Sequence, residues 1–341
     1  MKKILLLSML FLLAAPLVFA QVQVNEPIRI EGRTMGTTYS VVYFDSQSRN
    51  LKSSIDSLLV QVNRGINTYD RMSVVSTFNA SAEGVGSDSD HFLQTLKKSL
   101  AVAAASEGHF DPTVMPLVNL WGFGPDKNLQ PSQRKIDSIR HFVGYHHISM
   151  RHNRVSKDHP NAQVDFGGIG QGYGVDVIAN FLIQKKISDY LVELGGEGFA
   201  SGKNIQTNAP WKVGIVDPMS DKDDQHLLGY ITIENGAFTT SGNYFNYRII
   251  DGKKYGHTIS PFTGFPIQQD LISVSIFADD CATADAWATA CMVAGKEKSI
   301  GFLKANPSLA AIFFSMHGGK LEIFVSDNIK DNVFLEQTHD N

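Results

Sequence analysis

Cysteine is nearly absent from this chain. Of 341 residues only Cys281 and Cys291 carry a thiol, too few for a disulfide framework or a cysteine-rich metal site. The segment between them reads as helix, and a helical separation of ten residues is about 15 Å long. A disulfide needs Cα atoms within about 7 Å, so two buried, unreactive thiols are expected. An excess of positive charge is also lacking. The 30 Lys and Arg face 34 Asp and Glu, a net charge of −4, and no basic cluster breaks that balance, which argues against a nucleic-acid partner.

Long apolar runs are absent too, with one exception at the start, MKKILLLSMLFLLAAPLVFA. Lys2 and Lys3 precede an apolar stretch that ends in Val18-Phe19-Ala20, so residues 1–20 are expected to be a secretory signal peptide. Ile4 to Phe19 is shorter than the ~20 apolar residues a spanning helix requires. No cysteine near the cut offers a lipid anchor. The expectation is an exported protein of the periplasm or cell envelope, residues 21–341, with no transmembrane segment.

What is present is a mixture of two periodicities. IRIEGRTMGTTYSVVYFD alternates like a strand interrupted at Thr34 to Thr38. Ile55, Leu58, Leu59, Val62 and Ile66 recur at helical spacing, as do Phe92, Leu93, Leu96, Leu100 and Ala103. Five histidines between Gln130 and Pro160 match no zinc spacing and are read as surface residues. From Ala162 onward strands dominate: AQVDF, YLVELGG, WKVGIVD, LLGYITIE and LISVSIFAD. Asp251-Gly252 and Gly318-Gly319 sit between alternating runs and signal hairpins. Such frequent hairpins predict an α+β fold, mainly antiparallel sheets with packed helices, over a doubly wound parallel sheet.

Chemistry is concentrated in DFGGIGQGYGVD, Asp165 to Asp176. It follows the short strand AQVDF and leads into VDVIANFLIQKKI, where Val177, Ile178, Phe181 and Leu182 suggest a buried stripe. Glycines on a strand-to-helix turn leave backbone N–H groups at the positive end of a helix, a setting that attracts phosphate. The stretch holds no Gly-Lys-Ser/Thr and no register of G-x-G-x-x-G, so it matches neither familiar phosphate loop. Glycines that only let a helix pack closely on a sheet are the competing reading. Asp285 and Thr289, four apart in ATADAWATA, project from one helix face within about 6 Å of each other. A carboxylate and a hydroxyl suit Mg²⁺, which binds oxygen at about 2.0–2.1 Å. On its own that pair reads as an exposed Asp beside a helix-facing Thr, and it becomes informative only beside a phosphate site.

Seven blocks in order carry a resemblance: TMGTTYS, GHFDPTVMPLVNLWGFG, DFGGIGQGYGVD, ELGGEGFASG, TTSGNYFNY, HTISPFTGFP and ATADAWATA. Together they resemble the ApbE family of FAD:protein FMN transferases across nearly the whole mature chain. The resemblance implies an ApbE-like fold, a groove for FAD, and a magnesium-dependent transfer of the FMN half to a Thr or Ser hydroxyl of an acceptor protein, with AMP leaving. By motif match it implies Asp285, Thr289 and the backbone carbonyl of Gly168 as metal ligands. It implies nucleotide contacts from Met35, Tyr69, His109, Phe110, Asp111, Asp165, Gln171 and Ile259. His257, directly before Thr-Ile-Ser-Pro, is the candidate for taking the acceptor's proton. Two residues depart from the family pattern: Ser260 replaces a common Asp near that histidine, and Gln171 replaces a frequent Lys or Glu. Three functions stay open: the transferase, an FAD pyrophosphatase in which water replaces the acceptor, and a non-catalytic FAD-binding protein.

Overall fold

The computed structural model describes residues 26–126, 130–220, 224–242, 247–250 and 252–336. The expected signal peptide lies outside the described residues. Eight strands form the central sheet, and they neighbour one another in chain order: Ile28–Thr34, Thr37–Tyr43, Tyr190–Leu194, Glu197–Ser201, Asn235–Gly242, Leu271–Ala278, Ala310–His317 and Lys320–Val325. Every adjacent pair is antiparallel. The expected mainly antiparallel α+β fold is therefore what forms.

Side chains alternate across this sheet because successive strand residues face opposite sides. Val41 and Tyr43 join the core beneath the helices, while Val42 and Phe44 join a second core on the other face. Phe313 likewise faces the helices, between Ile312 and Phe314 on the far side. Sequences such as AAIFFSM are apolar without alternation because both faces are covered. On one face lie the helices Lys52–Ile66, Asp90–Ala105, Gly170–Gln184 and Cys281–Ala294. On the other, Trp211, Ile215, Ile231 and Ile233 bring in a smaller sheet of four strands. A third apolar group, Leu117, Leu120, Trp121, Ile136, Val143 and Ile259, builds a separate knob of short helices and loops.

Several local expectations change in detail. The interruption at Thr34 to Thr38 is a two-residue turn, Met35-Gly36, with φ of 48° and 78°, so the region is a hairpin. AQVDF is not a strand. Its backbone is held by the Asn79 side chain, which donates to the Val164 carbonyl at 2.8 Å and accepts from the Val164 N–H at 2.7 Å. The following helix begins at Gly170, inside the glycine run, and its buried positions are Val175, Ile178, Ala179 and Leu182, with Val177 and Phe181 at the margin. Both cysteines are free and buried, Cys281 at the start of its helix and Cys291 further along it. The Gly318-Gly319 hairpin forms as expected. So does the one pairing Ile250 with Lys253, where Asp251 itself lies outside the described residues.

Candidate active site

Glycine determines how closely two helices approach. The helix Cys281–Ala294 is rich in alanine and almost wholly buried. Gly172 lies against its first turn: a Cβ there would sit 2.4 Å from the Cys281 carbonyl oxygen and 2.9 Å from the Asp285 Cβ. The same close approach lets the Gly172 N–H donate to Asp285 Oδ2 at 3.1 Å. Gly168 is similarly hemmed in, since a Cβ would fall 2.6 Å from the Thr289 hydroxyl oxygen. Tight packing and a bare backbone beside Asp285 and Thr289 are thus one arrangement. The backbone N–H groups expected to await an anion are partly engaged, because Gly170 N–H donates to the Phe166 carbonyl at 2.8 Å and Gly172 N–H to Asp285.

The helices are locked by Asp176, a buried carboxylate in the middle of the glycine-rich helix. It accepts from the Cys281 N–H at 2.7 Å and the Ala282 N–H at 3.0 Å, capping the neighbouring helix from outside. Burial, helped by nearby Asp280, pushes its carboxyl up to about 7 despite those two donors. Burial also raises Asp285 to about 7, opposed by the Gly172 N–H and reinforced by Asp176.

Around this junction lies a cavity of about 830 Å³. All twelve residues assigned from the sequence to the metal, the nucleotide or the proton line it: Met35, Tyr69, His109, Phe110, Asp111, Asp165, Gly168, Gln171, His257, Ile259, Asp285 and Thr289. Met35 reaches it from the tip of the first hairpin. Tyr69 reaches across to donate its hydroxyl to the Phe123 carbonyl at 2.9 Å. His109 is fixed by the Ser106 carbonyl, 2.7 Å from Nδ1, and by Phe262, whose ring centre is 4.7 Å away; burial holds its pKa below the ordinary histidine value. Asp165 is anchored through its N–H to the Pro112 carbonyl at 2.7 Å, and burial raises its carboxyl. His257 sits edge-on to Phe123, with ring centres 6.4 Å apart.

Two candidate side chains have structural duties as well. Asp111 Oδ1 accepts from both the N–H and the hydroxyl of Thr113, and Oδ2 from the Tyr145 N–H at 2.8 Å, so this carboxylate shapes its own turn. Ser260, the departure beside His257, is buried and accepts from the Thr263 N–H at 3.3 Å, closing the Ser-Pro-Phe-Thr-Gly loop. It does not line the cavity, whereas Gln171 does.

Glu197, Thr240, Ser241 and Asn63 also line the cavity and carried no role in the sequence reading. Glu197 stands in the ELGGEGFASG block, but a strand glutamate has no periodicity that reveals where it points. Its Oε2 is buried without a hydrogen-bond partner among the described residues. An orphaned buried carboxylate oxygen, a second carboxylate at Asp285, a hydroxyl at Thr289 and a bare backbone at Gly168 make a donor set of hard oxygens that fits a divalent cation. Among the described residues no three His, Cys, Asp or Glu side chains converge. A cation here would therefore rely on carbonyl and hydroxyl oxygens too.

Comparison with known proteins bears on the family and the fold. The model of the ApbE family matches residues 35–313. The chain is 38% identical over 291 residues to the FAD:protein FMN transferase of Vibrio cholerae, covering 82% of this chain and 85% of that protein. It is 34% identical over 328 residues to the FAD:protein FMN transferase of Escherichia coli K12, covering 93% and 92%. The solved flavin transferase ApbE from Vibrio cholerae superposes with a TM-score of 0.81 at 33% identity, over 90% of this chain and 99% of that one. The ApbE protein from Thermotoga maritima gives 0.79 at 30% identity, again over 90% and 99%.

Proposed function

The chain belongs to the ApbE family, and on that premise we propose that it is a Mg²⁺-dependent FAD:protein FMN transferase acting on Thr or Ser hydroxyls of exported acceptor proteins. The observation that carries this reading is convergence: twelve residues scattered from position 35 to 289 line one cavity. Its volume is within the roughly 300–1,000 Å³ usual for ligand sites. Met35, Tyr69 and Phe110 offer apolar and aromatic surface for flat rings. The diphosphate bridge belongs near Gly168, Asp285 and Thr289, where the backbone is bare.

In the reaction, the acceptor oxygen forms a bond to the flavin-side phosphorus while the bond from that phosphorus to AMP breaks. The product is a phosphoester, and the hydroxyl proton passes to His257. Imidazole titrates near neutral pH, so His257 can take that proton and later release it. Gly168, Asp285 and Thr289 would hold Mg²⁺, which when bound neutralises charge on the diphosphate and the departing AMP. Gln171 supplies a neutral amide to the cavity, so the cation and backbone bear more of the phosphate recognition. Residues 1–20 would direct export and be removed, leaving residues 21–341 as the flavin-transferring domain.

The test mixes the mature protein, FAD, Mg²⁺ and an exported acceptor bearing the target hydroxyl, with intact-mass detection of the acceptor and chromatography of nucleotides. An FMN adduct appearing in step with AMP is expected, and His257→Asn should slow it by about 10²–10⁴-fold. FMN and AMP without adduct would mean hydrolysis, and FAD recovered intact would mean a carrier. Either result overturns the transferase reading.

A further inference from the structure

Glu197 is a buried acid with one carboxylate oxygen left unmatched among the described residues. It opens the strand Glu197–Ser201 immediately after a turn at Gly195-Gly196, where φ is 72° and 113°. The turn is drawn tight by the Gly196 N–H, which donates to Glu193 Oε1 at 2.6 Å. That geometry sends Glu197 inward, leaving it 7% exposed. Its Oε1 meets only the Thr239 hydroxyl, at a long 3.4 Å, and its Oε2 meets no hydrogen-bond partner among the described residues. Leaving a buried polar group unmatched costs about 1–3 kcal/mol, and more for a charged one. A ligand that supplies the missing partner removes that penalty.

The surroundings indicate which ligand. Glu197 lines the same cavity as Gly168, Asp285 and Thr289. Glu197 and Asp285 are both buried on the wall of that one cavity. Two acids buried near one another repel when both ionise, and a dication between them converts that repulsion into attraction. A monovalent cation would balance only one of them. A neutral hydrogen-bond donor from a nucleotide would satisfy Oε2 but leave no reason for a second acid so close to Asp285.

We propose that Glu197 supplies a second carboxylate to the divalent cation held by Asp285, Thr289 and the Gly168 carbonyl, so that the cation binds before the flavin nucleotide. This rests on the reading of a divalent-cation site at Asp285 and Thr289. With a single carboxylate the cation would depend on the diphosphate for most of its charge balance. With two, the protein alone carries enough negative charge to hold it.

The experiment titrates Mn²⁺ alone into the unliganded protein, without flavin, and follows free Mn²⁺ by electron paramagnetic resonance. Wild type, Asp285→Ala, Glu197→Gln and Glu197→Asp are compared, with circular dichroism melting to check that each is folded. Glutamine keeps the length of the side chain and can still bond to Thr239, but carries no charge. The expected result is Mn²⁺ binding by wild type and an affinity lower by about 10–100-fold in Glu197→Gln. Glu197→Asp, which keeps the charge, should fall between the two. Equal Mn²⁺ affinity in wild type and Glu197→Gln, with Asp285→Ala defective, would overturn the role of Glu197 and leave the cation site standing. Equal losses in the Gln and Asp variants would also overturn it, because the charge would then be irrelevant. If wild type and Asp285→Ala bind Mn²⁺ alike, the underlying cation site itself is wrong, and this inference goes with it.

Discussion

At Gly168 there is no room for one more methyl group. A Cβ there would lie 2.6 Å from the Thr289 hydroxyl oxygen, well inside van der Waals contact. Gly168→Ala must therefore push Thr289 aside or move the loop. The Gly168 carbonyl and Thr289 are meant to hold the same cation, and a displacement of ~1 Å costs about 100-fold in rate. Turnover of FAD should fall by about that factor in steady-state assays, while the thermal midpoint changes little because the loop borders a cavity. Unchanged turnover would show that this backbone takes no part in the chemistry. The importance of Gly168 was legible in the sequence as one glycine among several, but the reason was not. Only the fold brings residue 289 against residue 168, and no spacing along the chain encodes that approach. The same limit hid Glu197, whose isolation depends on what the surrounding strands and helices leave around it.

The pair of helices Gly170–Gln184 and Cys281–Ala294 behaves as one element. Asp176 ties them by accepting two N–H groups from the first turn of the second helix. Because burial lifts Asp176 to about 7, the folded chain holds a proton there that the unfolded chain, near pKa 3.9, has already lost. The unfolded state binds fewer protons between those values, so stability from this group is full below about pH 4 and declines as pH rises through about 7. Urea unfolding of the unliganded protein should show that decline, and Asp176→Asn should make it shallower, since asparagine cannot ionise and Asp285 alone of the pair is left to titrate. An identical pH profile in the variant would mean that Asp176 is ionised throughout. The sequence read as helix over the second helix, and the apolar spacing from Val177 to Leu182 marked most of the first. It placed the start of the first too late, because the glycine run carries no apolar signal although its backbone is helical from Gly170. AQVDF carried a strand-like pattern but pairs with the Asn79 side chain instead of a neighbouring strand.

Across the whole molecule, the helices and the four-stranded sheet cover opposite faces of the central sheet, and the cavity opens among the helices, the first hairpin and the knob around Trp121. The hairpin repeats made the antiparallel architecture readable from the sequence. The order of the eight strands was not, since about 145 residues, with helices, loops and a separate three-stranded sheet, lie between the second strand and the third and no local pattern says that they pair. Among the described residues no helix is long and apolar enough to cross a membrane. The account as a whole stands on one junction, where the glycine segment and the Asp285 helix are meant to grip a dinucleotide through a cation. A crystal of the protein grown with FAD and Mn²⁺, measured at the manganese absorption edge, examines that junction directly. The expected map has an anomalous peak among the Gly168 carbonyl, Asp285 and Thr289, with the diphosphate of FAD against it. FAD bound elsewhere, or seated in the cavity with no metal at these residues, would contradict the account.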